Sequence, residues 1–270
     1  MDLTTRIHRV ELGNLKQIID ICDDLSLNYF LIGGSLLGAI RHKGFIPWDD
    51  DMDIGMTRND YEQFAKYAPA RLRDSHYFLQ TAYSDHNYGF SYMKLLDRYT
   101  YIEEKNNANN ARKGVFIDIF PFDRIPDDPA SRRNQITRFK LLDSRIILKA
   151  GYGLIETPLR RLKPDLDPDQ IESITDLKQE RDQVMRQYNA EPFLNLKNLA
   201  SQYAYDKEIL TVAESTALTT VPFESLSVKV PVDYDAILTR LYGDYMTLPP
   251  EHQRTEKHIS KLIMDNQVFQ

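Results

Sequence analysis

The sequence predicts an α+β protein, a mixed β-sheet core with flanking helices and a mostly α-helical insertion. Three observations predict it. Short apolar runs of β type recur at 29–32, 77–82, 90–96 and 115–120, separated by helical patterns. A turn-rich stretch, PFDRIPDDP at 121–129, then opens a long tract of helical periodicity. After that tract a strand pattern and a short helix return. The expected organisation is a core over 1–126, a helical insertion over 127–220, and a strand, helix and tail over 221–270 that rejoin the core.

Residues 8–27 read as an amphipathic helix with Leu15, Ile18, Ile19, Cys22 and Leu25 on one face. The run at 29–32 is the first buried strand, and a short helix follows from Ser35 to about His42. Residues 43–48 form a loop into an acidic strand. Thr57 with Asp60 three residues on predicts a capping box for a helix over 58–68. Residues 130–150 read as a helix with basic residues set among apolar ones. It is either an ordinary half-exposed helix or a basic face for anionic lipid. Residues 164–169 are an expected linker, and 170–188 and 194–218 expected helices. Residues 228–230 form a strand, Asp233 caps a helix over 234–242, and Gly243 stops it.

The chemistry concentrates in 30–56, FLIGGSLLGAIRHKGFIPWDDDMDIGM. Gly33, Gly34 and Ser35 end an apolar run where a helix begins. Unpaired N–H groups and the helix dipole favour an anion at such a place, and small residues let a phosphate approach. Asp51 and Asp53 alternate with Met52 and Ile54, so on a strand both carboxylates face one way. Asp49 shares that parity, whereas Asp50 points the other way. Two adjacent carboxylates repel unless a cation lies between them, and oxygen ligands beside phosphate suit Mg²⁺ or Mn²⁺. Asp118, inside the apolar run VFIDIF, needs a partner or a cation for the same reason. A lone DxD or GGS is usually a turn; the two at this spacing, flanked by apolar strands, are not so easily dismissed.

Composition narrows the classes. A 42% hydrophobic and 27% charged chain of 270 residues is globular and large enough for a substantial core. A net charge of −6 argues against a general nucleic-acid binder. One cysteine, Cys22, leaves no intrachain disulfide and no thiolate zinc site. No signal peptide and no apolar run of about 20 residues is evident, so a cytoplasmic location is expected, with peripheral contact at the inner membrane face possible.

The order hydrophobic-Gly-Gly-Ser, then DxD, then a single Asp between hydrophobic residues resembles the nucleotidyltransferase-fold superfamily. More closely, LLGAIRHKGFIPWDDDMDIGM, GVFIDIFPFD and YDAILTRLYGDYMTLPPEHQR resemble the LicD-type phosphocholine transferases and their fukutin-related relatives. The resemblance implies a nucleotidyltransferase-like core and transfer of phosphocholine from CDP-choline to a sugar hydroxyl. The acceptor would be a cell-surface glycan such as a teichoic acid or lipopolysaccharide precursor, and CMP would be released. Phosphoribitol, phosphoglycerol or nucleotide transfer, or a non-catalytic nucleotide-binding role, are the alternatives.

On that reading Asp51, Asp53 and Asp118, joined by Asp49, would hold Mg²⁺ or Mn²⁺. Arg41 and Lys94 would serve the transferred phosphate. Gly33, Gly34, Ser35, Lys43 and His42 would contact the donor, and the tail would bring His252 back to the site. Trp48 is either a loop anchor or one wall of a cation–π box for choline. The helical insertion would read the acceptor.

Overall fold

A computed structural model describes residues 2–105, 109–152, 173–254 and 258–269. The chain begins with helix α1, Leu3–Leu25, whose Asp2 cap accepts from Thr5 N–H at 2.8 Å. Its apolar side, with Ile7, Leu15, Ile18, Ile21 and Cys22, is buried. Then come β1 (Phe30–Leu31), α2 (Gly33–Arg41), β2 (Asp53–Thr57) and α3 (Arg58–Arg71). Next are β3 (Tyr77–Gln80), β4 (Met93–Asp97), β5 (Tyr101–Glu104) and β6 (Phe116–Ile125). Helices α4 (Pro129–Lys149) and α5 (Ile174–Arg186) precede β7 (Asn195–Lys197) and β8 (Ile209–Thr211). The remainder is α6 (Val212–Thr216), β9 (Leu218–Phe223), β10 (Leu226–Pro231), α7 (Tyr234–Tyr242), β11 (Ile259–Met264) and β12 (Gln267–Phe269).

The main sheet runs β1-β2-β6-β4-β3, with β7 on β6 and β8 on β7. Strands β2 and β6 run parallel, while β6 meets β4 and β7 antiparallel. Alternation gives the sheet two unlike faces. Ile54, Met56, Leu95, Ile117 and Ile119 share one face and are buried, and α1 and α3 pack against these strands. Phe30, Asp53, Gly55, Lys94, Asp118, Phe120 and Phe122 lie on the other. Gly55 is needed there: an added Cβ would stand 2.6 Å from the Phe30 ring and 2.7 Å from the Phe122 ring.

An α+β chain is what the composition of elements shows, and several boundaries differ from expectation. The turn-rich 121–129 does not leave the sheet at once, because β6 continues to Ile125. Its Asp123 is fully buried and takes a bidentate bond from Arg58 at 2.8 and 2.6 Å, so it is no turn residue. The tract 194–218 is not one helix; only the short α6 and a single 3-10 turn at 205–208 are helical in it. Its backbone pairs as β7 with Asp123–Ile125 of β6, and β8 pairs with β7. Asn198 and Ser201 side chains also bond the nearby N–H groups of Ala200 and Tyr203, which competes with helix.

Thr57 does precede α3, but its hydroxyl donates to Asp60 at 2.9 Å and caps no backbone N–H, so the capping box is not formed. Asp233 likewise precedes α7 without a side-chain cap, while Gly243 ends that helix at φ +73°. The β11–β12 hairpin, paired to β5, and the β9 partner of β10 escaped the pattern reading. The expected linker 164–169 and the start of the 170–188 helix lie outside the described residues.

Candidate functional site

Strand register builds the centre of the site. Asp53 stands opposite Asp118 in the β2–β6 pair, and Lys94 stands opposite Asp118 in the β4–β6 pair. Lys94 Nζ lies 3.5 Å from Asp118 Oδ1 and 3.4 Å from Glu104 Oε1, and 3.1 Å from the Phe116 ring centre. Burial opposes its charge, but Asp118 and Glu104 outweigh that and hold the Lys94 ammonium above its ordinary pKa. Asp118 Oδ1 is buried and accepts no hydrogen bond. Burial pushes the Asp118 carboxyl up to about 7, against the pull of Lys94. Asp53 is driven well above the carboxylate range, by burial first and then by Asp51 and Asp118. Burial raises Asp51 too. Four acids thus share one electrostatic environment without enough positive charge to balance them.

The loop before β2 is held from two sides. His8 of α1 donates from Nε2 to the Asp49 carbonyl at 2.7 Å and stacks on Phe45 at 4.1 Å. Asp50, which sequence parity turned away from the metal set, is 2% exposed. It accepts the His258 and Ile259 N–H groups, both at 2.8 Å, and His258 Nδ1 at 3.1 Å. Burial would raise Asp50, yet those bonds together hold it below its ordinary value. Its hydrogen bond in turn lifts His258 to about 9, with Asp51, 3.4 Å away, adding to the effect.

The amino end of α2 lies against these carboxylates. Gly33 has φ +52°, and a Cβ there would meet the Tyr203 hydroxyl at 3.3 Å and Asp53 Oδ2 at 3.9 Å. A Cβ on Gly34 would stand 2.8 Å from Asp49 Oδ2, so only glycine lets the Asp49 carboxylate come this close to the helix start. Ser35 Oγ accepts the Asp53 N–H at 2.8 Å, which ties α2 to β2.

The other candidates fall into two groups. Arg41 donates to the Tyr245 carbonyl at 2.8 Å and to His42 Nε2 at 3.0 Å. The Arg254 guanidinium lies over Trp48 at 5.3 Å, and His42 meets the same indole edge-on at 5.9 Å. Trp48 is therefore a loop anchor that joins the 41–48 loop to the returning tail. Lys43 is exposed at φ +59°, with its carbonyl accepting Glu224 N–H, and His252 is exposed with Gln253 as its contact. Neither touches the carboxylates.

Several site neighbours were missed. Glu11 of α1 is 1% exposed, its Oε2 has no hydrogen-bond partner, and burial followed by Asp51 drives its pKa well up. A signal existed, since Glu11 falls on the same helix face as Ile7, Leu15 and Ile18. Tyr203 and Tyr242 join hydroxyls beside Gly33, and Glu208 lies near Asp53, paired with Lys197 at 3.5 Å. These come from the tract misread as helix and from α7, and nothing local marks them.

Among the described residues, no group of three or more Asp, Glu, His or Cys side chains is arranged to hold a metal ion. No helix among them is long and apolar enough to cross a membrane.

Residues 26–141 match the family described as LicD/FKTN/FKRP, nucleotidyltransferase domain. That stretch contains β1, α2, β2, β4 and β6, but neither Glu11 nor His258. The lipopolysaccharide cholinephosphotransferase LicD of Haemophilus influenzae is 28% identical over 250 residues, covering 89% of this chain and 90% of its own. The ribitol 5-phosphate transferase FKRP of Homo sapiens is 42% identical over 45 residues, 17% of this chain and 9% of its own. An uncharacterized protein of Rickettsia typhi is 31% identical over 117 residues, 42% of this chain and 33% of its own. Homologues that transfer phospho-alcohols, and a domain match containing the Gly-Gly-Ser turn, Asp51, Asp53, Lys94 and Asp118, lead to one statement: residues 26–141 match the LicD/FKTN/FKRP nucleotidyltransferase domain, and most of the chain is similar to a LicD cholinephosphotransferase.

Proposed function

We propose that this protein transfers phosphocholine from CDP-choline to a sugar hydroxyl of a lipopolysaccharide or teichoic acid precursor, in a divalent-cation-dependent reaction that releases CMP. The observation that carries the reading is the register of Asp53, Asp118 and Lys94 across three adjacent strands. The side chains do not stand in a coordination shell as they are, but a buried carboxylate oxygen whose facing cation is Lys94 at 3.5 Å, in a cluster whose members raise one another's pKa, supports a further cation there. Asp51, Asp53 and Asp118, with Asp49, would hold Mg²⁺ or Mn²⁺, which when bound would neutralise phosphate charge and polarise the bridging oxygens.

The chain's own groups do the rest by position and charge. The N–H groups opening α2 at Gly33 and Gly34 are available to a donor phosphate. Arg41, at the other end of α2, is held by the Tyr245 carbonyl and would reach the donor from the loop side. Lys94, locked between Glu104 and Asp118, keeps a fixed positive charge beside the reacting phosphate. The acceptor oxygen forms a bond to the phosphorus that carries choline, the bond to CMP breaks, and the hydroxyl proton passes to a carboxylate of the set. The tract with α4 and α5 would read the acceptor. We assign the work to the cytoplasm, with α4, whose Leu141 and Leu148 are exposed, at the membrane face.

A second reading, transfer of phosphoribitol, is favoured by the state of Trp48. One face of its ring is taken by Arg254, which leaves less of the indole for a quaternary ammonium.

The test follows CMP release from CDP-choline, CDP-ribitol and CDP-glycerol with lipopolysaccharide as acceptor, with and without Mg²⁺, for wild type and Asp53→Asn. Mg²⁺-dependent turnover of CDP-choline that Asp53→Asn abolishes is the expected result. Preference for CDP-ribitol would replace the donor. Turnover indifferent to both Mg²⁺ and Asp53→Asn would overturn the mechanism.

A further inference from the structure

A cleft of about 380 Å³ opens between α3, the β3–β4 connection and α5, away from the Gly-Gly-Ser turn. Its size falls at the small end of the range for small-molecule sites, roughly 300–1,000 Å³. Five cationic side chains line it, Arg58, Lys66, Lys178, Arg181 and Arg186, against two anionic ones, Glu62 and Asp182. The arginines are each ion-paired, but neither lysine has an ion-pair partner among the described residues. Lys178 is 3% exposed and donates to the Ala82 and His86 carbonyls at 2.9 and 3.1 Å. Lys178 thus spends two of its three N–H donors on neutral carbonyls, with Asp85 the acid that faces it, and Lys66 stands free of ion pairs at the cleft's rim.

Two further features suit a sugar. Tyr61, Tyr83 and Tyr92 contribute rings that combine an apolar face with a hydroxyl. Ser91 Oγ, at the cleft wall, is buried and has no hydrogen-bond partner. Tyr92 also connects the cleft to the catalytic face. Its ring centre is 4.3 Å from that of Phe120, two residues, or roughly 6.6 Å, along β6 from Asp118.

We propose that this cleft binds a phosphorylated sugar, with Lys66 and Lys178 drawing the phosphate and Tyr83 and Ser91 the ring. Resting on the transfer reading above, it is the acceptor subsite, one aromatic wall away from the carboxylates. A phosphate monoester on a sugar also occurs in the donor's nucleotide, so the probes must separate the two.

Calorimetry on the full chain, without donor or added metal, would compare glucose 6-phosphate, glucose, inorganic phosphate and CMP. Wild type would be set beside Lys66→Glu and Tyr83→Ala, both at exposed positions, and beside Asp118→Asn. Glucose 6-phosphate is expected to bind more tightly than glucose or phosphate alone, at least fivefold more weakly in Lys66→Glu and Tyr83→Ala, and unchanged in Asp118→Asn. Affinity untouched by the two cleft variants, or absent in wild type, would overturn the proposal. Tighter binding of CMP that Lys66→Glu weakens would overturn the acceptor assignment. Intact glucose 6-phosphate binding in a protein without transferase activity would count against the function and leave the cleft site standing.

Discussion

Asp53 and Asp118 face each other in register on neighbouring parallel strands, with the buried Asp118 Oδ1 facing Lys94 Nζ at 3.5 Å. Such a pair costs stability when no metal ion is bound, because burial, with repulsion among Asp51, Asp53, Asp118 and Glu104, outweighs the pull of Lys94. Asp118→Asn is therefore expected to raise the melting temperature of the metal-free protein and to lower turnover by about 10²–10³. Added Mg²⁺ should stabilise wild type and leave the variant nearly unmoved. Thermal denaturation with and without chelator, run beside the turnover assay, checks all three.

Arg58 and Asp123 form a buried bidentate pair, with Asn189 Nδ2 adding a bond to the same carboxylate at 2.6 Å. Removing only the cation strands a fully buried anion. Arg58→Ala should cost about 3–5 kcal/mol, read by urea denaturation. Restoring a neutral pair with Asp123→Asn in the same chain should recover part of that loss.

Asp50 fastens the β11–β12 hairpin to the acidic loop through two backbone N–H groups and His258. Asp50→Ala is expected to cost about 1–3 kcal/mol. Amide exchange at His258 and Ile259 should accelerate, while exchange in β2 and β6 changes far less. Asp50→Asn keeps an acceptor oxygen and should protect those amides better than Asp50→Ala.

Burial lowers the Lys178 pKa to about 8. The unfolded chain then holds the extra proton between pH 8 and roughly 10.4, so stability rises with pH across that window and the penalty is fully present below it. In Lys178→Met this contribution vanishes. Comparing the pH dependence of unfolding free energy in the two proteins from pH 7 to 10 should show a shallower rise in the variant.

The parts of the site legible in the sequence were those encoded locally. Asp53, Lys94 and Asp118 each alternate with apolar residues in a strand, which marked each as a candidate, while the register that sets them side by side came only with the strand pairing. Gly33, Gly34 and Ser35 announced a helix start by residue type. What stayed hidden depends on distant pairing. Asp50 is neutralised by residues more than 200 positions away, and Glu104 reaches Lys94 through a strand whose partner is β11. The 194–218 tract carries a helix-like apolar spacing, but hydrogen bonds offered by the far end of β6 decide its state. Asp123 looked like a turn residue because its partner, Arg58, lies on another element.

The hairpin that holds Asp50 has a consequence for the order of assembly. During synthesis the acidic loop, Lys94 and Asp118 leave the ribosome well before residues 258–264 exist. Until those residues arrive, Asp50 lacks its three donors and β5 lacks its β11 partner. A nascent chain can thus collapse its core while its carboxylate loop is still unfastened. A product that ends before residue 258 would carry the motif residues without the fastening that fixes them.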